Sequence, residues 1–476
     1  MALIYDFATW APLVELMHSD GDFVAGYVGR GSWSVPVAER RWKVEFAAAQ
    51  RVMGALREAG LEQVAFVLDE GGLHLIDFGA AVEVGVGMYP GALLLVEGAV
   101  PEPWRRLPVV EGAVRGSGAA DAGLLGRALV ERLRVAVGVS SEAGSAVGVS
   151  SEAGSAVGVS SEAGSAVGGS LEADLGDLGG AGGALVGASA SEIAAVEERL
   201  GVVLPAELKA IYQVYRGQDP VEGLEASARV ASVMGFELLS IDDVYVADAA
   251  SRPCPWVFAA SEAVVTGPDA AVQGVAGSPG WIAFAGNGGG DRYAIDLTPG
   301  PGGHLGQVIL ISHEEYVGAS LVADSLTELI VHGRKRAESR AGVDLAPVVA
   351  TVNYASVNGV EGVVHPDLEV LTIGVWKGEP IRLAPVVGLP RLRTLSAYPG
   401  TLADPLEITR LTDLEFLELG PEDWRVLLDA GAVPRTLKAA AINARNRHPL
   451  MIMELANELL ALWNRPPMTR TVVATS

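Results

Sequence analysis

A chain of 476 residues exceeds what one hydrophobic core usually organises, so roughly two to four domains are expected. Its 58 acidic against 34 basic residues give a formal net charge of -24, which excludes the phosphate backbone of nucleic acid as a natural ligand and suits either a basic protein partner or plain solubility. The single cysteine, Cys254, excludes an internal disulfide framework, and no apolar run approaches the ~20 residues needed to cross a bilayer.

The first basic residue is Arg30, after Asp6, Glu15, Asp20 and Asp22, which is unlike the start of a secretory signal, and a cytoplasmic protein is expected. Residues 1–112 read as an α+β domain of no recognised family. Trp42, Val44, Phe46, Ala49, Val52, Met53 and Leu56 recur at helical spacings, and Gly60 offers a stop. The period then changes to two strands over 64–79, joined at Asp69, Glu70, Gly71 and Gly72, with a further strand near 92–96. Asp69 and Glu70 suit a solvated turn, while an enzymatic site built from Asp69, Glu70, His74 or Asp77 is the alternative for this domain.

A helical extension is expected over 113–135. The decapeptide AVGVSSEAGS then occurs three times from Ala136 to Ser165, and glycine-rich sequence follows. Side chains this small do not offset backbone ordering, so 136–188 reads as a flexible linker between folded regions.

Residues 189–335 form the most legible domain. Ser189 and Glu192 make a capping box ahead of Ile193, Val196 and Leu200. A second helix starts at Leu204-Pro205 and carries Leu208, Ile211, Tyr212 and Tyr215, with Gly217 at its end. The strand 281–285 has apolar residues on both faces and should be central; a turn at 287–290, a strand over 292–297 and another over 307–312 follow. Ser325 to Glu328 is a second capping box leading into a closing helix.

Beyond it, Leu368, Leu392, Leu414 and Leu437 are separated by 24, 22 and 23 residues in segments of similar pattern. Residues 344–465 therefore resemble a short, degenerate leucine-rich-repeat solenoid. A terminal helix from Pro449, with Ile452, Leu455, Leu459, Leu462 and Trp463 on one face, suits a cap over its open end. Residues 466–476 read as a disordered tail.

Taken in order, E-x-x-L-G at 197–201, LP at 204–205, YRGQ at 215–218, MGFELLSIDDV at 234–244, W-x-A-F-A at 281–285, GGGDRYAIDL at 288–297, GQVI at 306–309 and ADS at 323–325 resemble the SUKH superfamily, the Smi/Knr-like domain. The resemblance implies helices packed on an antiparallel sheet and a non-enzymatic protein-binding module. The whole chain is then multidomain α+β, with this domain preceded by the unassigned α+β domain and followed by the repeat-like region. Many bacterial members look like immunity proteins that neutralise toxin domains by direct binding, while fungal relatives regulate cell-wall assembly and signalling. The immunity-like role, with a basic toxin domain as partner, is the first reading, and a cytoplasmic regulatory scaffold is the alternative.

Polar groups at loop tips can reach a partner, so Tyr215, Gln218, Asp219, Asn287, Asp291 and Arg292 are the candidate contact residues. No catalytic, cofactor-binding or metal-ligating set is expected. The turn GNGGGD lacks the Gly-Lys-Ser/Thr of a phosphate loop and joins two strands. In AGSPG the residue after Ser278 is proline, which has no N–H for an oxyanion hole. Asp291 and Asp296, at odd spacing on a strand, point to opposite faces. The seven histidines show no metal spacing, and Cys254, between two prolines, suits packing.

Overall fold

The computed structural model describes residues 3–18, 22–37, 41–85, 87–109, 118, 120–137, 186–217, 224–333, 347–356 and 358–473. The chain is mixed α/β and divides into two compact units: Met1–Arg105, Cys254–Ala263 and Asp344–Ser476 make the first, Arg106–Pro253 and Val264–Val343 the second.

The first unit opens with α1 (Phe7–Val14), capped by Asp6, and continues through β1 (Val24–Gly29), β2 (Trp33–Ser34), α2 (Trp42–Ala59), β3 (Gln63–Asp69), β4 (Gly72–Asp77), β5 (Ala92–Leu94) and the short α3 (Glu102–Arg105). Ala49, Val52, Met53 and Leu56 of α2 are buried with Trp10, Phe66 and Leu75, and Gly60 ends the helix in the left-handed region, φ 74°. The expected stripe is shorter than the helix. Trp42 and Phe46 stay exposed; their rings stack on each other at 6.1 Å between centroids and meet Trp33 in tilted contacts at 4.8 and 5.5 Å.

The second unit is built from α4 (Ala122–Val137), α5 (Ala190–Leu200), α6 (Ala206–Val214), α7 (Leu224–Met234), β6 (Glu237–Leu238), β7 (Tyr245–Val246), β8 (Trp281–Gly286), β9 (Arg292–Asp296), β10 (Gln307–Ile311), β11 (Ser320–Ala323) and a closing helix, Leu326–Ile330. Its sheet is antiparallel in the order β11-β10-β9-β8-β6, with β7 also paired to β8. Ile282, Phe284, Ile295 and Val308 pack against the helices, and Trp281, Ala283, Ala294 and Ile309 pack on the opposite face. The central β8 is therefore covered on both sides. Both capping boxes have the expected Ser-to-amide bond, from Glu192 N to Ser189 Oγ and from Glu328 N to Ser325 Oγ.

One boundary differs from the sequence reading. Helix α4, taken as an extension ahead of the linker, buries Leu125, Leu129 and Leu133 in the same core as Leu208, Ile211 and Leu326. Its apolar face needs that cover, so the repeat tract runs between two helices of one unit instead of between two domains. Residues 138–185 of that tract lie outside the described residues.

The first unit resumes with β12 (Val349–Val352), β13 (Val370–Ile373), β14 (Thr394–Ala397), β15 (Phe416–Leu419), β16 (Ala439–Ile442) and β17 (Thr469–Val473), with longer helices at Pro421–Asp429 and Pro449–Ala461. Strands β12 to β16 pair in parallel and in sequence order. In this register Leu371, Leu395, Leu417 and Ala440 form one row, and Leu368, Leu392, Leu414 and Leu437 precede the strands; all are buried in one core. The helix Pro449–Ala461 adds Ile452, Leu455 and Leu459 to it.

Two further corrections concern the ends of the chain. Strand β5 pairs antiparallel with β16, so Met1–Arg105, which is most of the span 1–112, and the region 344–465 share a sheet and one unit and are not successive domains. The segment read as a disordered tail contains β17, which pairs with β4 and completes the order β17-β4-β3-β1-β2. Unsatisfied amides at the edge of β4 account for that pairing, and no local sequence pattern announces it.

Candidate partner-binding site

The turn between β8 and β9 is organised by two side chains. Asn287 Oδ1 accepts from Gly289 N at 2.8 Å and Asp291 N at 3.1 Å, while its Nδ2 donates to Asp291 Oδ2 at 2.7 Å. Asp291 then reaches the loop after β10. Its Oδ1 accepts from His313 N at 3.0 Å and meets His313 Nδ1 at 2.7 Å. These bonds, first from the His313 backbone and then from its ring, hold the Asp291 carboxyl below the ordinary carboxylate value. Gly290 permits the contact, because it adopts φ 114° and an added Cβ would lie 2.9 Å from the His313 ring.

Beside this clamp lies a cavity of about 230 Å³ bordered by Tyr245, Arg252, Arg292, Ile311, His313 and Tyr316, with Asp248 and Glu315 as its acidic groups. Arg292 donates to the carbonyls of Gly290 and Asp291 at 3.1 and 3.2 Å. The largely buried Arg252 donates to the carbonyls of Ala276, Gly318 and Ser312 at 2.9, 3.0 and 3.3 Å, tying three loops into one wall. Aromatic rings, guanidinium groups and the apolar side chains of Ala247, Ala276 and Ile311 in one concavity suit the anchoring of a side chain from a protein partner.

Of the six candidate contacts, Asn287, Asp291 and Arg292 come together here, and Asn287 is exposed. Tyr215 is not a surface contact. It is 7 % exposed and packs in the core, because the stripe that buries Leu208 and Ile211 carries it inward as well. Gln218 and Asp219 lie outside the described residues. Sequence reasoning missed Tyr245, Arg252 and Tyr316, which stand in no motif.

The acids Asp296 and Asp69 and the serine Ser278 are held by hydrogen bonds within the fold. Asp296 is fully buried and accepts from Gln307 Nε2 and Thr298 N, both at 2.8 Å, and burial pushes it up to about 6. Ser278 is buried, 2.5 Å from Thr298 Oγ1. In the first unit Asp69 meets the buried His74 Nε2 at 2.8 Å, and His74 Nδ1 accepts from Arg470 at 3.0 and 3.1 Å. Both nitrogens of that imidazole are engaged, so it pins β17 to β4.

The described residues contain no grouping of three or more His, Cys, Asp or Glu arranged to hold a metal. Nor do they include a helix long and apolar enough to cross a membrane.

Residues 187–332 match the SMI1/KNR4 family, SUKH-1. The match covers the capped helices, the antiparallel sheet and the clamped turn of this SUKH-1 domain. Over 156 residues the chain is 31% identical to the cell wall biosynthesis/cell cycle regulator smi1 of Schizosaccharomyces pombe, covering 29% of this chain and 30% of that protein. A stretch of 47 residues is 45% identical to a glucan synthesis regulatory protein of Neurospora crassa, covering 10% of this chain and 9% of that protein. The chain thus spans less than a third of the length of either relative.

Proposed function

We propose that the chain is a non-enzymatic regulatory protein whose SUKH-1 domain docks a protein partner at the cavity beside the Asn287–Asp291 turn. The match of residues 187–332 to a family represented by regulators of cell wall and glucan synthesis carries this reading and favours it over toxin neutralisation. A turn fixed by hydrogen bonds, an aromatic-lined concavity and guanidinium groups in its lining give such a partner an anchor and a register. The parallel strands β12 to β16, with their recurring buried leucines, act in this proposal as a leucine-rich-repeat-like scaffold.

The net charge of -24 supports one narrower feature, a basic surface on the partner, which a toxin domain would also offer. Affinity capture followed by mass spectrometry, comparing the wild-type chain with Arg292→Glu, tests the proposal. A partner retained by the first and lost by the second is expected. Equal recovery by both, or recovery of no specific protein by either, overturns it.

A further inference from the structure

Residues Cys254–Ala263 belong to the first unit, although the chain on both sides of them belongs to the second. They form no strand. Their short helix, Trp256–Ala259, lies against the face of the β13–β16 sheet opposite its leucine core. On that face Val370, Thr394, Phe416 and Ala439 form one row across the strands, at 0 to 1 % exposure. Ala439, Ala441 and Ala92 are small, and the space above them takes the Trp256 indole, whose ring lies 6.2 Å from Phe416 with 18° between the planes.

Side chains of the sheet read the backbone of this segment. Ala260 O accepts from Thr394 Oγ1 at 2.7 Å and from Arg393 Nη1 at 3.1 Å, and Glu262 O accepts from Arg393 Nη2 at 2.5 Å. Trp256 N donates to Glu83 Oε2 at 2.8 Å. Arg393 is aimed by its own neighbours, with Glu369 at 3.3 Å and Glu102 at 3.6 Å. It also belongs to a series: Glu369, Arg393, Glu415 and Lys438 each immediately precede a strand and alternate in charge across the sheet, Lys438 meeting Glu415 at 2.6 Å.

An indole slot, a two-carbonyl clamp and an acceptor for the leading amide are the parts of a peptide-recognition site. The cluster they form is small and separate from the leucine core behind the sheet.

We infer that the front face of β13–β16 is a peptide-binding surface, held in cis by residues 254–263, and that it takes in trans a segment of the same chemistry: a tryptophan, one helical turn and an alanine four residues on. The inference does not depend on the SUKH-1 docking proposal, since none of its residues line the cavity described above.

The test uses the full chain and a fluorescently labelled peptide of residues 254–263. Trp256→Ala in the chain removes the cis anchor, so this variant should bind the peptide at least tenfold more tightly than the wild type. Trp256→Ala in the peptide should lower binding to that variant at least tenfold. A folded variant chain that binds neither peptide, or binds both equally, overturns the inference. Should the variant not fold, hydrogen exchange on the wild-type chain decides: the Trp256 amide of a displaceable ligand exchanges at least tenfold faster than the amides of β14 and β15. Equal protection makes the segment part of the core and overturns the inference.

Discussion

Asp296 shows how much of the SUKH-1 domain rests on single polar residues. Its buried carboxyl accepts from Gln307, and the same Gln307 amide donates to Ala271 O at 2.7 Å, joining β9, β10 and the loop ahead of β8. Burial raises the carboxyl to about 6 from its ordinary 3.8, so the folded domain binds more protons than the unfolded chain between those values. This stabilisation is therefore present below pH 3.8 and lost as pH rises through 6. It amounts to on the order of 3 kcal/mol. Asp296→Asn should remove that part of the pH dependence, so the difference in melting temperature between variant and wild type should change from pH 4 to pH 6.5 and then level off. A constant difference over that range would show that Asp296 does not titrate there. Tyr215 carries the opposite lesson: its helical spacing already placed it on the buried stripe, and only its position beside a loop made it look like a contact.

Elements were legible where local signals agreed with packing. The capping boxes at Ser189 and Ser325, the strand alternation over 281–297 and the left-handed Gly60 are read from a few adjacent residues. Strand β17 was not, because pairing with β4 depends on residues 469–473 meeting residues 73–77. Its Val473 is 3 % exposed within the core, and Arg470 bonds His74. Ending the chain at Met468 should therefore destabilise the first unit by about 3 kcal/mol or more, since it strips a strand ladder, a buried valine and the partner of a buried imidazole. Thermal unfolding followed by circular dichroism should show a drop of several degrees. An unstructured tail would leave the melt unchanged.

At the scale of the whole molecule, chain order and unit membership part company. Helix α4 precedes the repeat tract yet closes the SUKH-1 core, and Leu125, Leu129 and Leu133 are all 0 % exposed. Burying three leucines is worth roughly 6 kcal/mol at most. A fragment of residues 189–335, as sequence alone would delimit it, should be less stable by several kcal/mol than one of residues 118–335, and urea titration of the two measures the difference. Equal midpoints and slopes would mean that α4 contributes nothing to the domain.

The sequence by itself determined the periodic elements, their caps, the acidic balance and the motif series that the SUKH-1 match bears out, because each depends on residues near one another in the chain. Tertiary structure alone decided that β5 joins β16, that β17 joins β4, that Arg252 and Tyr316 share a cavity with Arg292, and that Trp256 lies on Phe416. Each of these brings together groups distant in sequence whose complementarity leaves no local trace: an open strand edge accepts any strand with free amides, and an aromatic slot exists only once the sheet beneath it has formed.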